Sequence, residues 1–256
     1  MLPSAKSGWS SSIAGLLLVG AGLDMTWVAE FWWSNGLSST SAYLSQWEAP
    51  GVDHAQWWRA CFTVSDLAVT LAALLVLWAQ PHGSRGPGAS SPGGRRASLW
   101  SLGWTALVVF GLSTAASDVI PARNSGPACT AVIDCLLPPG AVSGDLWAWP
   151  ATIGSIVGAH GAMSVASGSS LIVAIGALTM SASAGKGIPA LARFGRFALA
   201  GQLTSSVLLV AAIVFDVFAG IAGRLELTTE AGCLALLALG LRSPAGQARV
   251  GSAARG

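Results

Sequence analysis

Between Ile13 and Trp33 the chain runs for 21 residues with two charged side chains, Asp24 and Glu30, and stretches of this kind recur along it. Ala60 to Ala79 holds a single charge, Asp66, while Leu99 to Ser117 and Gly161 to Met180 hold none. Phe197 to Ala219 holds Asp216, and the shorter stretch from Leu227 to Leu241 holds Glu230. A hydrocarbon core about 30 Å thick is crossed by roughly 20 helical residues. In lipid the backbone must satisfy its own hydrogen bonds, which leaves helices and closed barrels as the spanning structures. Runs of this length predict an all-α, polytopic transmembrane helix bundle of six spans. The sixth, at 15 residues, needs a locally thinned bilayer or an interfacial placement.

Composition excludes the soluble alternatives. Only 13 Lys+Arg and 11 Asp+Glu occur in 256 residues, or 9% charged, against about 25% in soluble domains. With 53% hydrophobic residues and a mean hydropathy of +0.63, the chain is not disordered, collagen-like, disulfide-dense or a nucleic-acid binder. A single membrane domain over 1–256 accounts for the length. Pro50-Gly51 marks a turn in the loop after the first span. Residues 81–98 read as a flexible, basic cytoplasmic linker, 121–146 as an extracytoplasmic loop, Trp147 to Gly158 as interfacial, and 244–256 as a disordered tail.

Lys and Arg near span ends are retained on the cytoplasmic side. With the N-terminus inside, the inner segments hold ten of the 13 basic residues, among them Lys6, Arg85, Arg95, Arg96, Lys186 and Arg242. Only Arg59, Arg123 and Arg224 fall outside. Both termini are therefore expected in the cytoplasm and the protein in the cell membrane. The tryptophans agree with that depth scale: Trp32, Trp33, Trp57 and Trp58 flank the outer interface, and Trp9, Trp78, Trp100 and Trp104 the inner one. A signal peptide competes for the first run, with Lys6 as its basic region and Val19-Gly20-Ala21 as a cleavage site. Continuation of the run to Trp33 and the charge alternation favour a retained span.

Cys129 and Cys135 share an outer loop, where a disulfide can persist, although two free thiols fit the spacing as well. Cys61 and Cys233 lie in spans as small packing residues. His54, His82 and His160 are divided between the two sides, so no three-histidine zinc site forms, and no metal or cofactor motif is present.

The acids are the informative residues. Asp24 lies near the middle of the first span with Glu30 toward its outer end, Asp66 in the outer third of the second, Asp118 at the outer end of the third, and Asp216 in the outer part of the fifth. His160 and Arg224 lie at similar depth. A carboxylate at the bilayer centre costs about 2.5–3.5 kcal/mol, so such groups face the bundle interior and mark sites. Asp66, Asp118, His160, Asp216 and Glu30 are thus candidate acid/base residues, and Arg224, Asp24 and Trp27 candidate substrate contacts. The competing reading is a structural layer of hydrogen bonds and snorkelling ends. Gly154, Gly158, Gly161, Ser164 and Gly168 form a small-residue stripe that suits either close helix packing or room for a ligand tail.

Several short motifs together resemble the six-helix membrane-protein family catalogued as domain of unknown function 998. They are Leu44-Ser45-Gln46-Trp47-Glu48-Ala49-Pro50-Gly51, Ser117-Asp118-Val119-Ile120-Pro121, His160-Gly161 and Gly220-Ile221-Ala222-Gly223-Arg224. Gln46 departs from that family's loop, and the acidic residue expected after the proline is absent. The resemblance covers about residues 10 to 243 and implies a six-helix bundle without an assigned activity. A more distant likeness to Frag1-type lipid-remodelling proteins points toward lipid chemistry. The functional expectation is a lipid- or isoprenoid-handling enzyme or binding protein, with proton-initiated terpene cyclisation as one specific form. A proton-coupled transporter and a non-catalytic membrane partner or regulatory subunit are the alternatives. The expected partner is a membrane lipid or hydrophobic small molecule.

Overall fold

The computed structural model describes residues 5–33, 40, 47, 52–79, 92–119, 158–183, 188–215 and 217–243, without the side chains of 5–8, 92–97, 158–161 and 214. Among the described residues there are helices and no strands. They are α1 (Ala5–Asp24), α2 (Ala55–Trp78), α3 (Pro92–Val119), α4 (Gly158–Ser181), α5 (Pro189–Phe215) and α6 (Ala219–Arg242), with a 3₁₀ turn, Met25–Phe31, continuing α1. Each helix packs on the next, and α6 returns to pack on α1. The result is a closed antiparallel ring whose loosest seam lies between α4 and α5.

The exterior decides what kind of bundle this is. On α2, Val64, Leu67, Leu71 and Leu74 are each about half exposed, while Ser65, Asp66 and Thr70 are buried. Val109 and Leu112 on α3, Val165 and Val173 on α4, and Val207 and Val210 on α5 repeat the pattern. A water-soluble fold would place these the other way round. Five helices are long and apolar enough to cross a membrane: Trp9–Phe31, Ala55–Trp78, Ser98–Val119, Ala162–Ser181 and Pro189–Ile213. The fold is that of a multi-pass α-helical membrane protein.

Several boundaries differ from the sequence reading, α1 and α5 beginning eight residues earlier, at Ala5 and Pro189. The last helix does not begin at Leu227: it starts at Ala219 and runs for 24 residues, because Arg224, Glu226 and Glu230 depress hydropathy without interrupting helix formation. At 1.5 Å per residue it measures about 36 Å. The first run is not one regular helix, since it tightens to 3₁₀ after Asp24. Residues 92–98 of the supposed linker belong to α3, which Pro92 opens with a fixed φ and no donor to lose. The remaining linker, the 121–146 loop with Cys129 and Cys135, Asp216, and the tail lie outside the described residues.

One end of the ring is dry. Ile13, Leu17, Trp104, Leu107, Leu178 and Leu234 are fully buried in a continuous apolar core, closed by Trp9 stacked on Trp78 at 5.5 Å. Toward the other end α2 and α3 touch backbone to backbone at Gly111, where a Cβ would stand 2.6 Å from the Asp66 carbonyl oxygen and against Thr70. That contact lies at the level where the core gives way to polar residues.

Candidate functional site

Above the dry core the ring encloses a cavity of about 320 Å³, open on one side. Helical spacing explains its lining. Gly223, Glu226, Leu227 and Glu230 of α6 fall at i, i+3, i+4 and i+7, one face of a helix. Ser206, Leu209, Val210 and Ile213 repeat that spacing on α5, and Thr114, Ser117 and Asp118 part of it on α3. Phe62 and Asp66, one turn apart on α2, complete the wall with Asp24 of α1.

Five carboxylates therefore face one space: Asp24, Asp66, Asp118, Glu226 and Glu230. Their partners differ. Ser65 Oγ donates to Asp24 Oδ1 at 2.6 Å and also lies 3.0 Å from the Gly20 carbonyl. Thr63 donates to Asp118 Oδ2 at 3.3 Å, and Ser206 to Glu226 Oε1 at 2.9 Å. Asp66 is 3% exposed, and its Oδ2 has no hydrogen-bond partner among the described residues. Hydroxyls support the wall, with Thr114 bonded to Ser167 across α3 and α4. Between α5 and α6, Thr229 donates to Gln202 Oε1 at 3.1 Å, and its Oγ1 lies 2.8 Å from Ser205 Oγ.

Among the described residues no basic side chain lines the cavity. Arg224 faces another way, as expected one residue and about 100° from the Gly223 face. Its Nε donates to Glu30 Oε1 at 2.6 Å and its Nη2 to Glu30 Oε2, while Nη1 donates to the Gly220 carbonyl. Trp47 covers the guanidinium with its ring centroid 4.9 Å from Cζ. Trp47, Trp58 and Phe62 form an apolar cluster against which Trp27 packs. The pair is thus buried, bidentate and roofed by aromatics.

The residues singled out in the sequence divide accordingly. Asp24, Asp66 and Asp118 are brought together in the cavity; Glu30 and Arg224 form a separate ion pair; Trp27 packs beside that pair in the aromatic cluster. His160 lies in the first turn of α4, with its side chain outside the described residues. Ser164 and Gly168 of the small-residue stripe line the cavity, and a Cβ on Gly168 would approach only Glu226 Oε1, at 3.9 Å. Glu226 and Glu230 are absent from the sequence-based candidates: a boundary at Leu227 puts Glu226 in a loop, and Glu230, inside the sixth run, is not grouped there with the other acids. Their i, i+4 spacing, shared with Gly223 and Leu227, is the signal that locates them.

The mouth lies at the α4–α5 seam. Thr179 packs on Gly195, and Leu199 lies near Gly176, at the end next to the dry core. At the cavity, exposed Val165 and Val210 flank the opening. An acidic, hydroxyl-lined floor thus communicates sideways with an apolar surface. Site and fold together define a polytopic helical membrane protein with a laterally open acidic cavity. No protein-family model, curated protein or solved structure matches the chain.

Proposed function

We propose that this protein takes a lipid or isoprenoid from the membrane through the α4–α5 seam and holds its polar end against the carboxylates. The observation that carries this reading is the lining: Asp24, Asp66, Asp118, Glu226 and Glu230 at the floor, with Val165, Val210 and Ile213 toward lipid. Pockets for small molecules combine such apolar walls with a few converging polar groups and begin at about 300 Å³. Ionisable groups at membrane depth are costly enough to imply use. In the enzymatic form of this reading Asp66 delivers the initiating proton to an olefin or similar group, as general acid. The orientation that fits has six crossings with both termini cytoplasmic and the cavity in the outer leaflet. It is supported by the distribution of basic residues and the length of α6. Likeness to the domain of unknown function 998 family, carried by motif order, belongs to the same proposal.

Tryptophan at Val165 and Val210 should plug the mouth while leaving the fold intact, since both side chains already face outward. Hydrophobic molecules that co-purify with wild type should be lost from Val165→Trp/Val210→Trp, as read by mass spectrometry of the extracted protein. Identical extracts from both proteins would reject the reading. Proton-coupled transport is the second reading, favoured by the absence of a basic side chain from the described cavity wall. Proteoliposomes showing pH-gradient-driven flux that Asp24→Asn abolishes would establish it; flux unchanged by Asp24→Asn would remove it.

A further inference from the structure

The charge of the cavity selects the head group. Five carboxylates meet there, and among the described residues no Lys, Arg or His side chain accompanies them. Arg224, which follows Gly223 on α6, is committed to Glu30, Gly220 and Trp47. A phosphate or carboxylate head would therefore find no cation among the described side chains to offset its charge, in surroundings where screening is weak. A small metal ion fits poorly as well, because no three His, Cys, Asp or Glu side chains among the described residues converge at ligand spacing. What the space accommodates is a larger, diffuse positive group able to reach several acids at once.

Asp66 provides the second, independent indication. Asp24, Asp118 and Glu226 each accept a hydrogen bond from a neighbouring hydroxyl, whereas Asp66 meets only the carboxyl of Asp118, and its Oδ2 has no partner among the described residues. A buried acceptor left unsatisfied is costly, so a further partner beyond the described side chains is expected. Phe62, one turn away and stacked on Trp58, adds an aromatic ring to the same wall. Thr114 and Ser117 line the adjoining wall, their hydroxyls bonded within the ring.

We propose that the cavity binds the ammonium head of an amphiphilic amine, with Asp66 as its counter-ion and the apolar chain leaving between Val165 and Val210. This rests on the amphiphile-binding reading above and narrows it to a cationic head. Titration of dodecylamine, dodecanol and dodecanoate into the protein in phosphatidylcholine nanodiscs, corrected with empty discs, tests it. Wild type should bind dodecylamine at least about tenfold more tightly than dodecanol, the scale of one charge-assisted hydrogen bond. In Asp66→Asn the preference for the amine should fall about tenfold relative to wild type, the fold-change expected when that bond is lost. Equal binding of amine and alcohol to wild type, or preference for dodecanoate, would overturn the cationic head while leaving amphiphile binding in place. Absence of binding by all three would overturn both. The ligand series is read on wild type, so it decides the matter even if Asp66→Asn fails to fold.

Discussion

Two acidic arrangements share one end of this bundle and differ in what completes them. Glu30 meets a bidentate guanidinium beneath the Trp47 ring, with both side chains 8% exposed. Asp66, 3% exposed, meets no cation, and one of its oxygens has no partner among the described residues. The first arrangement is internally balanced and needs nothing further. Among the described residues the second has the Asp118 carboxyl beside it and no cation to balance it. Buried acids therefore occur in two settings within a single helix ring, one closed by an intramolecular cation and one facing the cavity.

That difference gives the ordering of mutational effects. Arg224→Ala should be the most damaging, costing about 3–5 kcal/mol in unfolding free energy, because it strands the buried Glu30 carboxylate. Reversible unfolding in bicelles would measure it, and a loss below about 1 kcal/mol would show the pair to be solvated rather than buried. Gly111→Val should follow at about 1–3 kcal/mol, since the new side chain collides with α2 at the Asp66 carbonyl. The same assay should then find that Gly111→Ala costs less than Gly111→Val; the reverse order would place the two helices further apart. Thr229→Val removes one member of the α5–α6 hydroxyl chain and should cost only about 0.6 kcal/mol, as interhelical hydrogen bonds in lipid do. A cost several times larger would make that chain, rather than the ion pair, the principal polar fastening.

Much of the fold is legible in the sequence for physical reasons. Five apolar runs have the length a bilayer demands, and each became a helix long and apolar enough to cross it. The layer of acids at similar depth was also readable, because a charge in a span is conspicuous. What the sequence does not display is azimuth. Asp24, Asp66 and Asp118 face the cavity while Glu30 turns toward Arg224, a distinction set by how helices rotate in the ring. α6 shows the opposite difficulty: four charged residues, Arg224, Glu226, Glu230 and Arg242, hide a 24-residue helix from a hydropathy reading. Its amphipathic spacing, with Gly223, Glu226, Leu227 and Glu230 on one face, carries the information that hydropathy averages away.

The central claim is that the two acidic arrangements are different in kind, and it is tested by neutralising one acid in each. Glu30→Gln and Asp66→Asn are near-isosteric, and their unfolding free energies can be compared in the same bicelles. The account predicts that Glu30→Gln loses about 3 kcal/mol or more, because it leaves Arg224 buried without its counter-charge. Asp66→Asn should keep the wild-type stability to within about 1 kcal/mol, or exceed it, because it removes a buried carboxyl that has no cation partner among the described residues. Equal losses at both positions would contradict the account and make the whole acidic layer one structural network.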